Sequence, residues 1–332
     1  MGRTPHLASL GANTFGASSG NVAVLAGGVG AARLLRGLVQ VTPNDRLTAI
    51  VNVGDDIDLH GLHISPDLDT VTYTLAGAIN PETGWGLVDE TWNAMASVGR
   101  YGGVTWFGLG DRDLGTHLFR TQRLSEGATL SEVTAEITRA WDLELRVVPV
   151  TDDRLRTYVT VAGVDKVEEI GFQEYFVHRR HDVPVQGIRF EGAEQSKPAH
   201  GVLESIIDAD VVVIAPSNPI VSIGPLFSVP GVRDAVVARR NHVVAVSPII
   251  AGAALKGPAD RLLTELGYES TVVGVAHFYQ SVASTLVIDE ADAELAPAVE
   301  AVGMRCVVAP TIMHDAAAAA DLGRVVLGAL EG

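Results

Sequence analysis

The feature that most limits how this chain can fold is a series of short runs of consecutive apolar, largely β-branched residues. They fall at Asn21 to Ala26, Leu47 to Val53, Val104 to Phe107, Leu145 to Val148, Val211 to Ala215, His242 to Ser247, Thr285 to Ile288 and Arg305 to Val308. A strand with one face in water alternates polar and apolar residues. A run that is apolar at successive positions needs cover on both faces. Helical periodicity fits the intervening segments Ala31 to Gln40, Leu68 to Ala76, Ser131 to Trp141, Ala259 to Leu266 and Ala316 to Leu330. Strands alternating with helices predict an α/β, Rossmann-like fold, a mostly parallel sheet with helices on both faces.

The texture changes at about 152–190. There Thr157 to Ala162 and Val167 to Ile170 read as a hairpin, followed by the aromatic, basic stretch Phe172 to Arg180. This predicts an inserted α+β subregion packed on the sheet. Residues 1–20 mix Gly, Ser, Thr, Asn and Pro without periodicity and are expected to be a disordered tail or a cloning-derived leader, leaving 21–332 as one domain.

Composition narrows the partners. Forty acidic residues against 24 basic ones give a net charge of −16, which argues against nucleic-acid backbone or anionic membrane as a ligand. An anionic substrate must then be held by backbone N–H groups, helix N-termini, a few placed Arg or Lys, or a bound cation. No run of about 18 apolar residues and no basic-then-apolar leader is present, so a cytoplasmic protein is expected. The one cysteine, Cys306, builds neither a disulfide framework nor a cysteine zinc site, and reads as a buried small residue.

The first apolar run leads directly into Gly27-Gly28-Val29-Gly30-Ala31-Ala32-Arg33 and a helix. Glycines there let the backbone turn sharply and approach a phosphate, whose charge the helix N-terminus meets. Arg33 stands where the dinucleotide fingerprint has its third glycine, and the Lys-Ser/Thr of a P-loop is absent, so neither an NAD-type nor a P-loop site is supported. The second run ends in Asn52-Val53-Gly54-Asp55-Asp56, and Ser65-Pro66-Asp67-Leu68-Asp69-Thr70 follows at the mouth of a helix. Four aspartates at strand carboxyl ends suit a hard cation such as Mg²⁺, although Asp67 as a helix cap and Asp55 and Asp56 as turn residues are the bland alternative.

Further along, Gly108-Leu-Gly-Asp-Arg-Asp113 precedes His117 and Arg120. Asp111 and Asp113 could meet a sugar or support a metal, and Arg112 and Arg120 could pair with phosphate. His117 reads more simply as a packed helical residue than as a base. Two polar loops, Pro216 to Pro225 and Ser247 to Gly252, follow later strands. Ser217, Asn218, Ser222 and Ser247 offer neutral donors and acceptors there, with Pro219 fixing the backbone.

Six blocks taken in order resemble one family. Leu25 to Arg33, Asn52 to Asp56, Ser65 to Thr70, Gly110 to Asp113, Ala215 to Pro225 and Val246 to Ile250 are similar to the 2-phospho-L-lactate transferase (CofD) family, most of all its actinobacterial FbiA branch. The resemblance covers nearly everything after residue 20. It implies a transferase of coenzyme F-420 biosynthesis. Such an enzyme joins 7,8-didemethyl-8-hydroxy-5-deazariboflavin to the acyl-phosphate half of a guanosine diphosphate conjugate, releases GMP and requires Mg²⁺. The donor carries lactate in archaea and enolpyruvate in actinobacteria. By position, Asp69 matches the aspartate that contacts the deazaflavin, and Gly27 to Gly30 and Ser217 to Pro219 match the nucleotide side. Archaeal members carry Lys or Arg where this chain has Gly108, so that side-chain contact is absent.

The resemblance therefore implies a set of roles. Asp55, Asp56 and Asp69 are the expected catalytic residues, with Asp56, Asp67 and Asp69 on Mg²⁺. Gly27, Gly28, Val29, Gly30, Asn52, Asp69, Asp111, Ser217, Asn218, Pro219 and Ser247 are the expected ligand contacts. Trp85, Trp92 and Trp106 either supply surface for the flat ring or belong to the core. A homodimer is expected from the family alone. The competing readings are a non-catalytic nucleotide or sugar-phosphate regulator of the same fold and a nicotinamide dehydrogenase. The four aspartates weigh against the first, and Arg33 weighs against the second.

Overall fold

The computed structural model describes residues 20–163, 167–255 and 257–330. The expected tail therefore lies outside the described residues, apart from Gly20. Seven strands form the central sheet: β1 (Val22–Ala26), β2 (Leu47–Val51), β3 (Arg146–Pro149), β4 (Val211–Ile214), β5 (Val243–Val246), β6 (Thr285–Ile288) and β7 (Arg305–Val308). Their spatial order is β7-β6-β5-β4-β1-β2-β3. Every neighbouring pair is parallel. The interior strands β1, β4, β5 and β6 are buried at every residue, as uninterrupted apolar runs require, while the edge strand β7 is not.

One expected strand is absent. Val104 to Phe107 lies between Gly103 and Gly108 in irregular backbone, with Val104 exposed. Phe107 packs instead against a small second core of Ile64, Met95 and Leu109. Its apolarity reflects burial by helices and a hairpin rather than membership of the sheet.

Chain direction fixes where a ligand can enter. From β1 the chain passes outward to β2 and β3, then returns to place β4 on the other side of β1 and continues to β7. The loops after β1 and β4 therefore diverge, which opens a crevice at the carboxyl ends of these strands. Helix α1 (Gly28–Leu38) starts there, and α2 (Pro66–Leu75) begins with Pro in its first turn and carries Asp67 and Asp69 beside it. Acidic residues there complement the helix dipole. Three further helices close this half: α3 (Asn93–Arg100), α4 (Asp113–Ser125) and α5 (Leu130–Ala140). The last is opened by a reciprocal Thr129–Glu132 capping box.

Between β2 and α2 lies a two-stranded hairpin, Ile57–Leu59 with Leu62–Ile64. Its two-residue turn puts His60 and Gly61 at positive φ, as tight hairpins demand. A three-stranded antiparallel sheet has Arg156–Ala162 at its centre, flanked by Val167–Gly171 and Val185–Glu191. Its inner residues Val159, Val161 and Ile170 join the buried cluster of the main sheet. Among the described residues, no single helix is long and apolar enough to cross a membrane.

Candidate active site

The glycine turn after β1 is crowded. Gly27 is extended, and a Cβ on it would lie 2.8 Å from Ser222 Cβ and 2.9 Å from Asp67 Oδ2. Gly28 has φ +70°, a conformation in which a side chain is strained. Val29 and Gly30 continue into the first turn of α1. A Cβ on Gly30 would lie 2.2 Å from the Pro216 carbonyl oxygen, so its absence lets the β1 and β4 loops touch. Ser217 ties the same two loops together. Its hydroxyl donates to the Gly27 carbonyl at 2.8 Å and lies 3.3 Å from the Gly27 nitrogen. Asn218 accepts from the Ile220 and Val221 N–H groups through Oδ1, and its Nδ2 is buried with no protein partner. Pro219 is buried and opens the helical turn that follows.

The carboxylate of Asp67 occupies the place where a phosphate was expected. It accepts from the Gly28 backbone N–H and from Asn52 Nδ2 at 3.0 Å. Asn52 also reaches Asp55 Oδ1 at 3.3 Å and uses its own carbonyl to hold the Gly54 N–H at 2.8 Å. One amide thus clamps two carboxylates. Desolvation, followed by the charges of Asp67 and Asp56, pushes Asp55 well above the usual carboxylate range. Desolvation also raises Asp67, to about 7, against the Asn52 and Gly28 hydrogen bonds and with help from Asp56. Asp56 is buried as well. Ser65 Oγ donates to its Oδ2 at 2.9 Å, His63 Nε2 lies 3.0 Å from the same atom, and Oδ1 has no partner. Gln173, from the stretch after the three-stranded sheet, donates to the Asp55 carbonyl at 2.9 Å.

Asp69 lies in different company. Both of its oxygens are taken by Arg120, Oδ2 at 3.1 Å from Nη1 and Oδ1 in close contact with Nη2. His117 Nδ1 lies 3.7 Å from Asp69 and 3.3 Å from Arg120, and His117 Nε2 lies 3.2 Å from Asp113 Oδ2. Tyr73 donates to Asp113 Oδ1 at 2.7 Å and lies 2.8 Å from Thr116 Oγ1. Burial alone would lower the Arg120 pKa, but the Asp69 charge and hydrogen bonds override it and hold the guanidinium charged. Burial likewise pushes Asp113 up, and His117, Tyr73 and Arg120 more than offset it, leaving Asp113 below its ordinary value.

Asp69, Asp113 and His117 bring ligand atoms within 4.8 Å of one another, a spacing compatible with a metal ion. The expected trio Asp56, Asp67 and Asp69 is therefore divided. Asp56 and Asp67 lie with Asp55, whereas Asp69 is engaged by a buried guanidinium.

Three other expected contacts have local duties. Asp111 accepts from Thr91, Asn93 and the Ala94 N–H, bonds that hold it well below the usual carboxylate range and start α3. Arg112 donates to the Val88 carbonyl. Ser247 is buried and closes its own turn with both backbone polar groups of Ile249. Trp85 and Trp92 are not core. They are 47% and 44% exposed, meet edge to face at 6.3 Å, and cover Gly108, where a Cβ would lie 3.3 Å from Trp92. Trp106 packs on His178 and Phe107. Cys306 is half-buried on β7, and burial pushes its thiol up to about 11, which keeps it protonated.

His63, Tyr73 and Gln173 were not singled out from sequence. A usable signal did exist for the Asp113, His117 and Arg120 face. Spaced i, i+4 and i+7, they share one side of a helix.

A glycine turn, the polar loop after β4 and a group of buried carboxylates gathered at the switch point define a Rossmann-like α/β protein with an acidic site. Two crystal structures of one Bacillus halodurans protein share this fold, with TM-scores of 0.61 and 0.60 at 18% and 17% identity. Each covers 93% of this chain and 99% or more of that protein. Residues 22–324 match the family described as 2-phospho-L-lactate transferase CofD. Proteins named phosphoenolpyruvate transferase are 46% identical over 313 residues in Kitasatospora aureofaciens and 48% identical over 308 in Streptomyces griseus. These alignments cover 93% and 92% of this chain and 98% and 97% of the relatives. A Mycobacterium avium protein of the same name is 42% identical, covering 91% of this chain and 96% of its own. The chain belongs to the CofD family of transferases.

Proposed function

We propose that this transferase acts in coenzyme F-420 biosynthesis, moving a phosphoenolpyruvate group from enolpyruvyl-diphosphoguanosine to 7,8-didemethyl-8-hydroxy-5-deazariboflavin with release of GMP. The name shared by its relatives favours enolpyruvate over lactate as the three-carbon group. The geometric observation that carries the reading is the Asp67 carboxylate seated in the Gly27–Gly28 turn beside Asp55 and Asp56. A phosphate approaching this turn meets three buried carboxylates. Phosphate and ionised carboxylates repel one another, and a cation between them removes that repulsion.

The donor chemistry of these residues, three buried carboxylates, suits such an ion. Burial raises Asp55 and Asp67, with help from Asp67 and Asp56 at Asp55 and from Asp56 at Asp67, and Asp56 Oδ1 is buried without a partner. We assign the divalent cation, Mg²⁺, to Asp55, Asp56 and Asp67. At the Asp69–Asp113–His117 group the Arg120 guanidinium already supplies the positive charge, and a second cation there would be repelled. When bound, the ion supplies charge neutralisation between the donor's phosphates and acidifies a nearby hydroxyl.

The remaining steps belong to the chain's own groups. The Ser217–Pro219 loop and the unpartnered Asn218 amide receive the nucleotide side. Arg120 holds both oxygens of Asp69, and each oxygen keeps a lone pair able to accept a hydrogen bond from the acceptor's terminal ribityl hydroxyl. That hydroxyl attacks the phosphorus bearing the enolpyruvyl group. The new O–P bond forms as the bridging P–O bond to GMP breaks, and the proton passes to a carboxylate of the cleft. Positioning and electrostatics carry such a transfer. The exposed Trp85–Trp92 pair offers a flat apolar face for the deazaflavin ring. We place the reaction in the cytoplasm and expect a homodimer.

Mass spectrometry of the product formed from competing enolpyruvyl and lactyl donors tests the assignment. Predominance of the enolpyruvyl product is expected. Predominance of the lactyl product would overturn the donor, and no product from either would overturn the reaction. Asp56→Asn is expected to lower turnover about 100-fold, as losing charge stabilisation of a transition state does.

A further inference from the structure

We propose that His63 is the positioning residue of Asp56, dictating which carboxylate oxygen is presented to the cation and thereby how tightly the ion is held. This rests on the cation assignment above.

Two donors converge on one atom. His63 Nε2 lies 3.0 Å from Asp56 Oδ2, and Ser65 Oγ donates to that same oxygen at 2.9 Å. The other oxygen, Oδ1, is buried with no protein partner. A carboxylate with one oxygen saturated and the other vacant is locked in rotation about its last bond, and the vacant oxygen is the one left to coordinate. Without His63, only Ser65 opposes rotation, and the two oxygens approach equivalence.

The imidazole is itself well held. Its strand belongs to the Ile57–Leu59 and Leu62–Ile64 hairpin, and the His63 backbone N–H donates to Thr121 Oγ1 of α4 at 2.8 Å. The adjacent Ile64 is buried in the small core with Met95 and Leu109. On the outer side, His63 Nδ1 lies 3.4 Å from Asp58 Oδ1, and Asp58 Oδ2 lies 3.4 Å from Arg156 Nη2. A ligating carboxylate is thus backed by histidine, then by carboxylate, then by guanidinium. Partners that hydrogen-bond a metal-ligating group orient it, and their loss typically weakens metal affinity 10- to 100-fold. Ser65 is less suited to a test because it also stands at the N-cap of α2. The His63 side chain, 21% exposed, can be exchanged with less disturbance.

The experiment is Mn²⁺ titration of the full chain followed by electron paramagnetic resonance, comparing wild type with His63→Leu and His63→Gln. Both replacements fill space, but only glutamine places an N–H donor near the position of Nε2. His63→Leu is expected to weaken Mn²⁺ about 10- to 100-fold, with His63→Gln within about 3-fold of wild type. Leucine binding as tightly as wild type, or glutamine as weakly as leucine, would overturn the proposal. If His63→Leu does not fold, His63→Asn, polar but too short to reach Asp56, takes its place under the same criteria. Asp56→Asn separates the two levels of argument. Weak binding by Asp56→Asn with unaffected His63 variants removes only the positioning role. No Mn²⁺ binding by wild type removes the cation assignment itself, and the positioning role with it.

Discussion

Asp67 and Asp69 are two residues apart in the same helical turn and live in opposite electrostatic worlds. A helix advances about 100° per residue, so their side chains leave α2 about 200° apart. Asp67 points to the glycine turn, where only an asparagine amide and a backbone N–H meet it. Asp69 points to α4, where a fully buried Arg120 grips both of its oxygens. One carboxylate has a buried guanidinium on both oxygens, although burial still outweighs that charge and leaves its pKa raised. The other, with Asp55 and Asp56 beside it, has no guanidinium from the described residues on its oxygens, and burial with help from Asp56 pushes its pKa up. The difference separates a part of the site that is built for rigidity from a part that is built to be filled.

The largest expected effect breaks the complete side. Arg120→Met leaves Asp69 buried without its cation, and removing one member of a buried ion pair destabilises by about 3–5 kcal/mol. Urea denaturation measures it. A loss below about 1 kcal/mol would mean that Asp69 is not neutralised by Arg120 and that the two regions are alike.

The unbalanced side is expected to respond with the opposite sign. Asp67→Asn keeps an acceptor for Gly28 but removes a desolvated charge, so the cation-free protein should gain about 1–2 kcal/mol at pH 8 while losing turnover. Asp69→Asn should instead lose stability. The pH dependence follows from the same shift. Asp67 is raised from 3.8 to about 7, so between those values the folded state binds a proton that the unfolded state has released. Its contribution is fully present below about pH 4 and is lost as pH rises through about 7. Asp113, held below its ordinary value, contributes in the reverse sense and loses its contribution only as pH falls through its folded pKa. Melting temperature across pH 5 to 8 in a chelator should therefore fall for wild type and fall less steeply for Asp67→Asn, where the raised Asp55 and Asp69 remain. Saturating Mg²⁺ should abolish most of the fall. A wild-type curve that rises with pH would refute the unbalanced-charge account.

The two regions also differed in legibility. The sheet could be read because its interior strands are mostly apolar runs, and the positions of the glycine turn, Asp55 and Asp56 could be read because they follow such runs closely. Val104 to Phe107 misled because apolarity reports burial, and here the cover is a helix and hairpin core rather than neighbouring strands. Helix α4 is hard to read from sequence for a related reason. Its buried positions include Asp113, His117 and Arg120, whereas Leu118 and Phe119 face outward at 58% and 41% exposure. A helix with a polar buried face has no hydrophobic period to detect. The pairing of Asp69 with Arg120 spans 51 residues of sequence. Nothing local to either residue announces it, and by sequence alone Asp69 groups with Asp56 and Asp67.

The smallest effect tests whether the complete side is a network or a single pair. Tyr73 has one hydroxyl proton, which it donates to Asp113, so the 2.8 Å contact with Thr116 places Tyr73 as the acceptor. Tyr73→Phe removes both bonds without opening a cavity. If Asp113, His117 and Arg120 act together, the change should lower stability by about 1 kcal/mol. It should also raise the Asp113 pKa, because a bond favouring the ionised form is gone, and thereby move the acid limb of the stability profile to higher pH. Carboxyl resonances followed by NMR across pH 2 to 6 read this directly. In an Arg120→Met background the Tyr73→Phe change should differ from its effect in wild type by at least about 0.5 kcal/mol, the mark of coupled neighbours. Strict additivity would reduce the complete side to the Asp69–Arg120 pair alone, and the contrast with Asp55, Asp56 and Asp67 would then rest on one guanidinium.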